Sequence, residues 1–199
     1  MALDLPLLKW LQNYTFPAES RFSDASYARR VYESCVGMTL AGGTTTANYM
    51  ATIHREATET LCDIAEERGQ RALIGKVCMN RNGFGGYVEK SSKDSLNETR
   101  IYLSGVNSKK YRLVEPTVVP RFAVSCDKAL MIGLGEIAKE YGTRIHTHLA
   151  ETKPEVRKDQ CNILKYRGQI SLHIYRWRGC ANWNPGQTAT PTSTRALAC

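Results

Sequence analysis

The 199-residue sequence lacks several features that would place a protein in a class at once. No apolar run approaches the ~20 residues that a membrane span needs, and no basic leader with an apolar core opens the chain, so neither a membrane protein nor a secreted one is expected. No two cysteines have Cys-x-x-Cys spacing, which argues against a zinc ribbon or a thioredoxin-type site. There is no Gly-x-Gly-x-x-Gly or Walker-type loop, so a dinucleotide site or P-loop is not predicted.

The cysteines and charges that are present point to a cytosolic protein with a nearly neutral body. Seven scattered cysteines, an odd number, are typical of free thiols in a reducing compartment. The formal net charge is +8, yet residues 152–199 hold eight of the 27 basic and only two of the 19 acidic side chains. The basic excess therefore belongs to the C-terminal part of the chain, and an anionic partner such as nucleic acid is not expected for the body.

Most of the chain alternates between strand-like and helical patterns. Apolar residues at helical spacing predict helices, and apolar or β-branched runs predict strands between them. The order favours parallel strands with right-handed crossovers, as in a doubly wound sheet or part of a (β/α)8 barrel. The predicted helices cover 24–38, with Asp24 as N-cap, 56–68, 94–103 and 127–141, and the predicted strands cover 44–49, 71–79, 114–122 and 144–150.

The pattern ends near Pro154, which divides the chain into a body, 1–156, and a basic tail, 157–199. A short strand is possible at 170–174, but the remainder is irregular and rich in Thr, Ala and Pro, which predicts disorder. Trp177 and Trp183 stand among arginines, a pattern that could stack on nucleic acid bases. Two tryptophans in an irregular tail are weak support for such binding.

Two histidines and a carboxylate form the first candidate site. His146 and His148 are two apart in a predicted strand, so their side chains should project from one face, and Glu151 follows where the strand ends. Sites in parallel α/β folds lie at the carboxyl ends of strands, where histidine can bind zinc and a carboxylate can move protons. The alternative is a His-x-His pair with no metal.

Arg121 and Phe122 form the second candidate site, also at the carboxyl end of a predicted strand. A buried guanidinium and an aromatic face would suit a flat heterocycle with an exocyclic oxygen. The alternative is a surface salt bridge beside a core phenylalanine. His54 and Trp10 could face the same rim, although a polar loop residue and a packing residue are the simpler interpretations.

Several blocks of the sequence, in order and without large gaps over 4–156, resemble the guanine deaminases, a family of zinc amidohydrolases. The blocks include DLPLLKWL at 4–11, YTFPAE at 14–19, GTTTA at 43–47, ATIH at 51–54, GKVCM at 75–79, PRF at 120–122, and His148 with Glu151.

The resemblance implies a partial (β/α)8 barrel of about four βα units, with an irregular tail, from a cytosolic enzyme that converts guanine and water to xanthine and ammonia. Arg121 and Phe122 match the guanine-binding pair, and Trp10 matches a residue that packs over the substrate. His148 matches a zinc ligand, and Glu151 matches the carboxylate that moves protons, both also contacting the substrate. A homodimer is expected from the family, and neither nucleic acid nor a membrane is an expected partner.

The family's remaining zinc ligands, a His-x-His pair on the first strand and a later His and Asp, have no counterpart here, and His146 matches no ligand. The expectation is a truncated or alternatively spliced form that has lost activity and zinc. Two alternatives stay open: a non-catalytic partial barrel that associates with full-length subunits, and an amidohydrolase acting on a different heterocycle.

Overall fold

A computed structural model describes residues 5–149 and 151–152. It begins with an almost unbroken helical segment, which the sequence patterns did not predict. Helix α1 (Leu7–Trp10) leads into a π-helical stretch (Leu11–Thr15), helix α2 (Phe16–Ser20) and a 3₁₀ turn (Arg21–Ser23). A proline, Pro17, lies in the first turn of α2, directly after the π-helical stretch. We call residues 7–23 the N-terminal helical segment.

Four longer helices follow, and all four were predicted. They are α3 (Ala25–Ala41), α4 (Arg55–Glu67), α5 (Ser92–Lys109) and α6 (Lys128–Glu140). Asp24 caps α3 as predicted, since its side chain accepts hydrogen bonds from the backbone N–H of Ser26 at 2.8 Å and of Tyr27 at 3.1 Å. Helix α5 extends beyond the predicted 94–103 at both ends.

The strands form a parallel sheet of the predicted kind. They are β1 (Thr46–Met50), β2 (Arg71–Gly75), β3 (Val77–Cys78), β4 (Val114–Pro116) and β5 (Val119–Pro120). The order is β1-β2-β4, and β3 pairs with β5, so the predicted strand at 71–79 is broken only at Lys76 and the one at 114–122 is broken between β4 and β5. Every pairing between these five strands is parallel.

Part of the predicted strand at 144–150 lies parallel to the segment that joins β4 and β5, held by a single bridge at Ile145, and residue 150 lies outside the described residues. Val118 pairs with Ile145, and the N–H of His146 donates to the Val118 carbonyl at 3.0 Å. The Val118 N–H donates in turn to the Arg144 carbonyl at 3.0 Å. Four parallel strands with helical crossovers are the partial barrel predicted above.

Two apolar clusters lie on opposite faces of this sheet, as side-chain alternation along a strand requires. Cys78 and Val118 belong to the larger cluster with helices α3 to α6. Val77 and Val119, their neighbours along the strands, belong to the smaller one, to which the N-terminal helical segment contributes Leu11 and Phe16. That segment therefore covers the inner face of the sheet at the carboxyl ends of β3 and β5.

The predictions for the tail, including the 157–199 division, the strand at 170–174 and the roles of Trp177 and Trp183, lie outside the described residues. Within residues 5–149 and 151–152, no helix combines the length and the apolar character that crossing a membrane would require.

Candidate functional site

The site forms where β5 ends, and its central residue is Arg121. The backbone N–H of Arg121 still continues the ladder, donating to the Cys78 carbonyl at 3.1 Å, and the residue is only 6% exposed. Its guanidinium makes a two-pronged ion pair with Glu19 of α2, Nη1 to Oε2 at 2.6 Å and Nη2 to Oε1 at 2.8 Å. The sequence left open a ligand-binding arginine or a surface salt bridge, and the structure shows a salt bridge that is buried.

Aromatic rings surround this ion pair. The Arg121 guanidinium lies 4.9 Å from the centre of the Phe16 ring, which lies 5.8 Å from the Tyr87 ring. Burial by itself lowers the pKa of Arg121, but hydrogen bonds and charge from Glu19 outweigh it and raise the pKa overall, with smaller contributions that include Glu151. Arg121 is therefore a permanent cation held in one orientation.

Phe122 is 4% exposed and belongs to the smaller apolar cluster. Its side chain packs in the core beside the site, in line with the alternative of a core phenylalanine beside a salt-bridged arginine.

His148 lies on the neighbouring strand, beside Arg121. Its backbone N–H donates to the Arg121 carbonyl at 3.1 Å, and its ring Nδ1 lies 3.3 Å from the same oxygen. The His146 and His148 rings are 6.3 Å apart between centres, as expected for residues on one face of a strand. Burial, and then the charge of His148, lower the pKa of His146, and its Nδ1 is buried with no partner in the described part of the chain.

The remaining predicted residues lie around this centre. Glu151 is exposed, yet close enough for its charge to act on Arg121. Trp10 is partly buried against the smaller cluster, and its indole N–H is buried with no acceptor among residues 5–149 and 151–152. His54 precedes α4, with its ring 5.9 Å from that of Tyr87.

A buried lysine fixes the loop that carries Tyr87. Lys76 Nζ donates to Glu89 Oε1 at 2.5 Å and to the Val77 carbonyl at 3.1 Å, and Glu89 Oε2 accepts from the Met79 N–H at 2.9 Å. Tyr87 then accepts a hydrogen bond from the Ile53 N–H at 3.1 Å through its hydroxyl. The loop after β3 is thus tied to β3 and to the segment that follows β1.

The described residues do not fit a complete catalytic zinc centre. Such a centre takes three protein ligands and a water molecule. In the part of the chain that the structure describes, no group of three or more His, Cys, Asp or Glu side chains could hold a metal ion. His148 and His146 would supply two nitrogens at most, and burial raises the pKa of the Cys126 thiol to about 12, which makes it a poor ligand.

Sequence reasoning missed three residues of the site: Glu19, Phe16 and Tyr87. Glu19 and Phe16 occur in the block YTFPAE, which carried the resemblance but was given no role. Nothing local indicates that Glu19 pairs with a residue 102 positions away. The only signal was a carboxylate within a stretch rich in aromatic residues.

Comparison with known proteins agrees with this geometry. The amidohydrolase family profile matches residues 1–161. The chain is 49% identical over 153 residues to guanine deaminase of Dictyostelium discoideum, and 42% identical over 172 residues to that of Homo sapiens. These alignments cover 77% and 86% of this chain but 34% and 38% of the relatives, so the chain spans about a third of their length.

A solved structure shares the fold. Guanine deaminase from C. acetobutylicum, with guanine bound in its active site, superposes with a TM-score of 0.80 at 31% identity over 87% of this chain and 42% of that one. The parallel strands, the polar residues at their carboxyl ends and the family match over residues 1–161 lead to one conclusion: this chain belongs to the amidohydrolase family.

Proposed function

We propose that this chain forms the purine-binding part of a guanine deaminase, an enzyme that hydrolyses guanine to xanthine and ammonia. The observation that carries the proposal is the buried Arg121 at the carboxyl end of β5, beside His148, in a chain 49% identical to a guanine deaminase. A homodimer and a cytosolic location are further predictions for the complete enzyme.

Arg121 would hold the purine by its ring carbonyl. Two of its N–H groups are bonded to Glu19, and the remaining ones can donate to a carbonyl oxygen. Glu19 and Phe16 fix the guanidinium, so purine binding would cost no entropy for ordering that side chain. The bound ring would also be held in one orientation for attack. Adenine carries an amino group where guanine has its carbonyl, so this donor would favour guanine.

The other residues have roles that follow from their chemistry. The Trp10 indole offers a buried donor and an apolar face over the ring, and Phe122 supports the ring pocket from the core. Glu151 would take a proton from the attacking water and return it to the leaving amine. Zinc is the proposed cofactor of the complete enzyme, and His148 is the residue here that would contribute to holding it; the described residues do not fit a full ligand set.

Equilibrium dialysis of guanine and adenine against the purified chain tests the proposal. Guanine should bind in preference to adenine, and Arg121→Gln should weaken guanine binding by about ten- to hundredfold, the cost of one charged hydrogen bond. Arg144→Gln is the matched control, since Arg144 is an exposed arginine on the neighbouring strand, paired with Glu115. Xanthine formation by this chain alone is not expected. Equal binding of both bases would contradict the proposal.

A further inference from the structure

The buried ion pair between Glu19 and Arg121 is the feature that the proposed function leaves unexplained. The Glu19 and Arg121 side chains are only 18% and 7% exposed. The two carboxylate oxygens of Glu19 accept hydrogen bonds from the two terminal nitrogens of Arg121. Burying such a pair costs desolvation of two charges, so its net contribution to stability is small or negative. A role in the site is therefore a better explanation for its presence than fold stability.

The pair determines what Arg121 can offer to a ligand. An arginine alone would present both a net positive charge and hydrogen-bond donors, a combination that selects anions. The Glu19 carboxylate neutralises the positive charge of Arg121. It accepts only two of the guanidinium N–H groups, so the others remain outside this ion pair.

Among the residues that the structure describes, the groups around the pair do not restore a positive charge. Glu151 also acts on Arg121 as a negative charge. Tyr87, beside Glu19, stays neutral because burial, reinforced by Glu19, raises its pKa well above the ordinary value. Lys76, a buried cation between β2 and β3, is paired with Glu89. A neutral carbonyl can therefore accept hydrogen bonds from the Arg121 N–H groups, whereas the ion pair offers an anion no net positive charge.

We propose that Glu19 is a positioning and specificity residue that restricts the Arg121 site to neutral heterocycles and excludes anionic ones. The inference rests on the proposed function, because it assumes that Arg121 binds a purine. Glu19 acts through Arg121 in two ways: it fixes the plane of the guanidinium, and it removes the positive charge that would attract an anionic ring.

The test compares guanine with 8-azaguanine, an analogue with the same amino and carbonyl groups that is an anion at mildly alkaline pH. Binding of each is measured at that pH on the wild-type chain and on Glu19→Gln, which keeps the shape and loses the charge. Glu115→Gln is the control, because it removes an exposed carboxylate from β4. Wild type and control should prefer guanine, and Glu19→Gln should shift the ratio of affinities towards 8-azaguanine by about tenfold or more.

The outcomes separate the two proposals. If wild type binds guanine and Glu19→Gln leaves the ratio unchanged, the specificity role is rejected and the purine site survives. If wild type binds neither base, the purine site is rejected, and the role of Glu19 with it.

A second measurement covers the case in which Glu19→Gln does not fold. In nitrogen-15 spectra of the wild-type chain, Arg121 should show separate Nη signals, because the carboxylate prevents rotation of the guanidinium. The signals should stay separate and shift when guanine is added. A freely rotating guanidinium, or guanine displacing Glu19, would overturn the inference.

Discussion

His148 and Arg121 meet at a single atom, the carbonyl oxygen of Arg121. The backbone N–H of His148 donates to it at 3.1 Å, and the His148 ring Nδ1 lies 3.3 Å away. The strand that would hold the metal ligand is therefore in register with the residue that would hold the substrate. A change in the backbone at either residue moves both, which couples the two halves of the proposed chemistry.

Removing one partner of the buried Lys76–Glu89 pair should lower the stability of the protein. Lys76→Met leaves the nearly buried Glu89 carboxyl without its partner cation, so we expect a loss of about 3–5 kcal/mol in the free energy of unfolding. Urea denaturation measures it. Lys109→Met is the control, because Lys109 is 42% exposed and its pair with Asp63 should contribute at most about 1 kcal/mol. Equal losses for the two variants would show that burial of the pair does not matter.

Gly75 should tolerate no side chain, in contrast to Gly37. A Cβ at Gly75 would lie 2.6 Å from the Thr117 hydroxyl and 2.8 Å from its carbonyl, and would also overlap the Val119 side chain. Gly75→Ala should therefore destabilise the protein by about 1–3 kcal/mol or more.

Gly37, within α3, has nothing within 4 Å of such a Cβ, so Gly37→Ala should stabilise the protein by about 0.4–1 kcal/mol. Thermal unfolding of both variants checks the pair. If Gly37→Ala is less stable than the wild type, the conclusion that a Cβ at residue 37 meets no neighbouring atom is wrong.

His54 should make stability depend on pH. Burial is the main reason that its folded-state pKa lies below the ordinary value, with the charge of Lys76 adding to it, and contacts with Ser20 and Glu19 oppose the shift. The unfolded chain therefore binds a proton more readily than the folded one. Stability should fall as pH drops below about 6.5 and level off once it passes the folded-state pKa.

His54→Gln removes this titration. Denaturation midpoints of both proteins are measured from mildly alkaline to mildly acidic pH. If the wild type is the more stable protein at high pH, its advantage in stability over His54→Gln should shrink as the pH falls. Parallel curves for the two proteins would mean that His54 titrates identically in both states.

Trp10→Phe should weaken guanine binding several-fold. The substitution keeps an aromatic face but removes the buried indole N–H, which has no acceptor in the described part of the chain. Dialysis with guanine measures the effect, and a Tyr14→Phe variant on the same segment, with Tyr14 40% exposed, is the control. If Trp10→Phe binds guanine as well as the wild type does, the Trp10 indole N–H has no role in binding, and the side chain serves only to pack the segment.

The regular elements were predictable because their signals are local. Leu130, Leu134 and Ile137 recur at helical spacing and all are buried in α6. The run 71–79 indicated a strand buried on both faces, and it is one, apart from the interruption at Lys76, whose charge is satisfied by the distant Glu89. The proximity of Arg121 and His148 followed from the rule that parallel strands share one carboxyl edge.

What could not be predicted depends on contacts between distant segments. The N-terminal helical segment gave no clear period, since a π-helical stretch interrupts it and shifts the apolar face. Its position over β3 and β5 is set by Phe16 and Leu11 entering the smaller cluster. The partner of Arg121 depends on that docking, so no local pattern could identify Glu19.

The contact between Glu19 and Arg121 also has a consequence for how the protein is made. At about 5–20 residues per second, a ribosome needs roughly 5–20 s to add the 102 positions that separate them. During that interval the newly synthesised apolar segment has no sheet to cover and is open to chaperones. Closure of the site thus has to wait until Arg121 has been synthesised, and variants that loosen the segment should show first as low yield in cells.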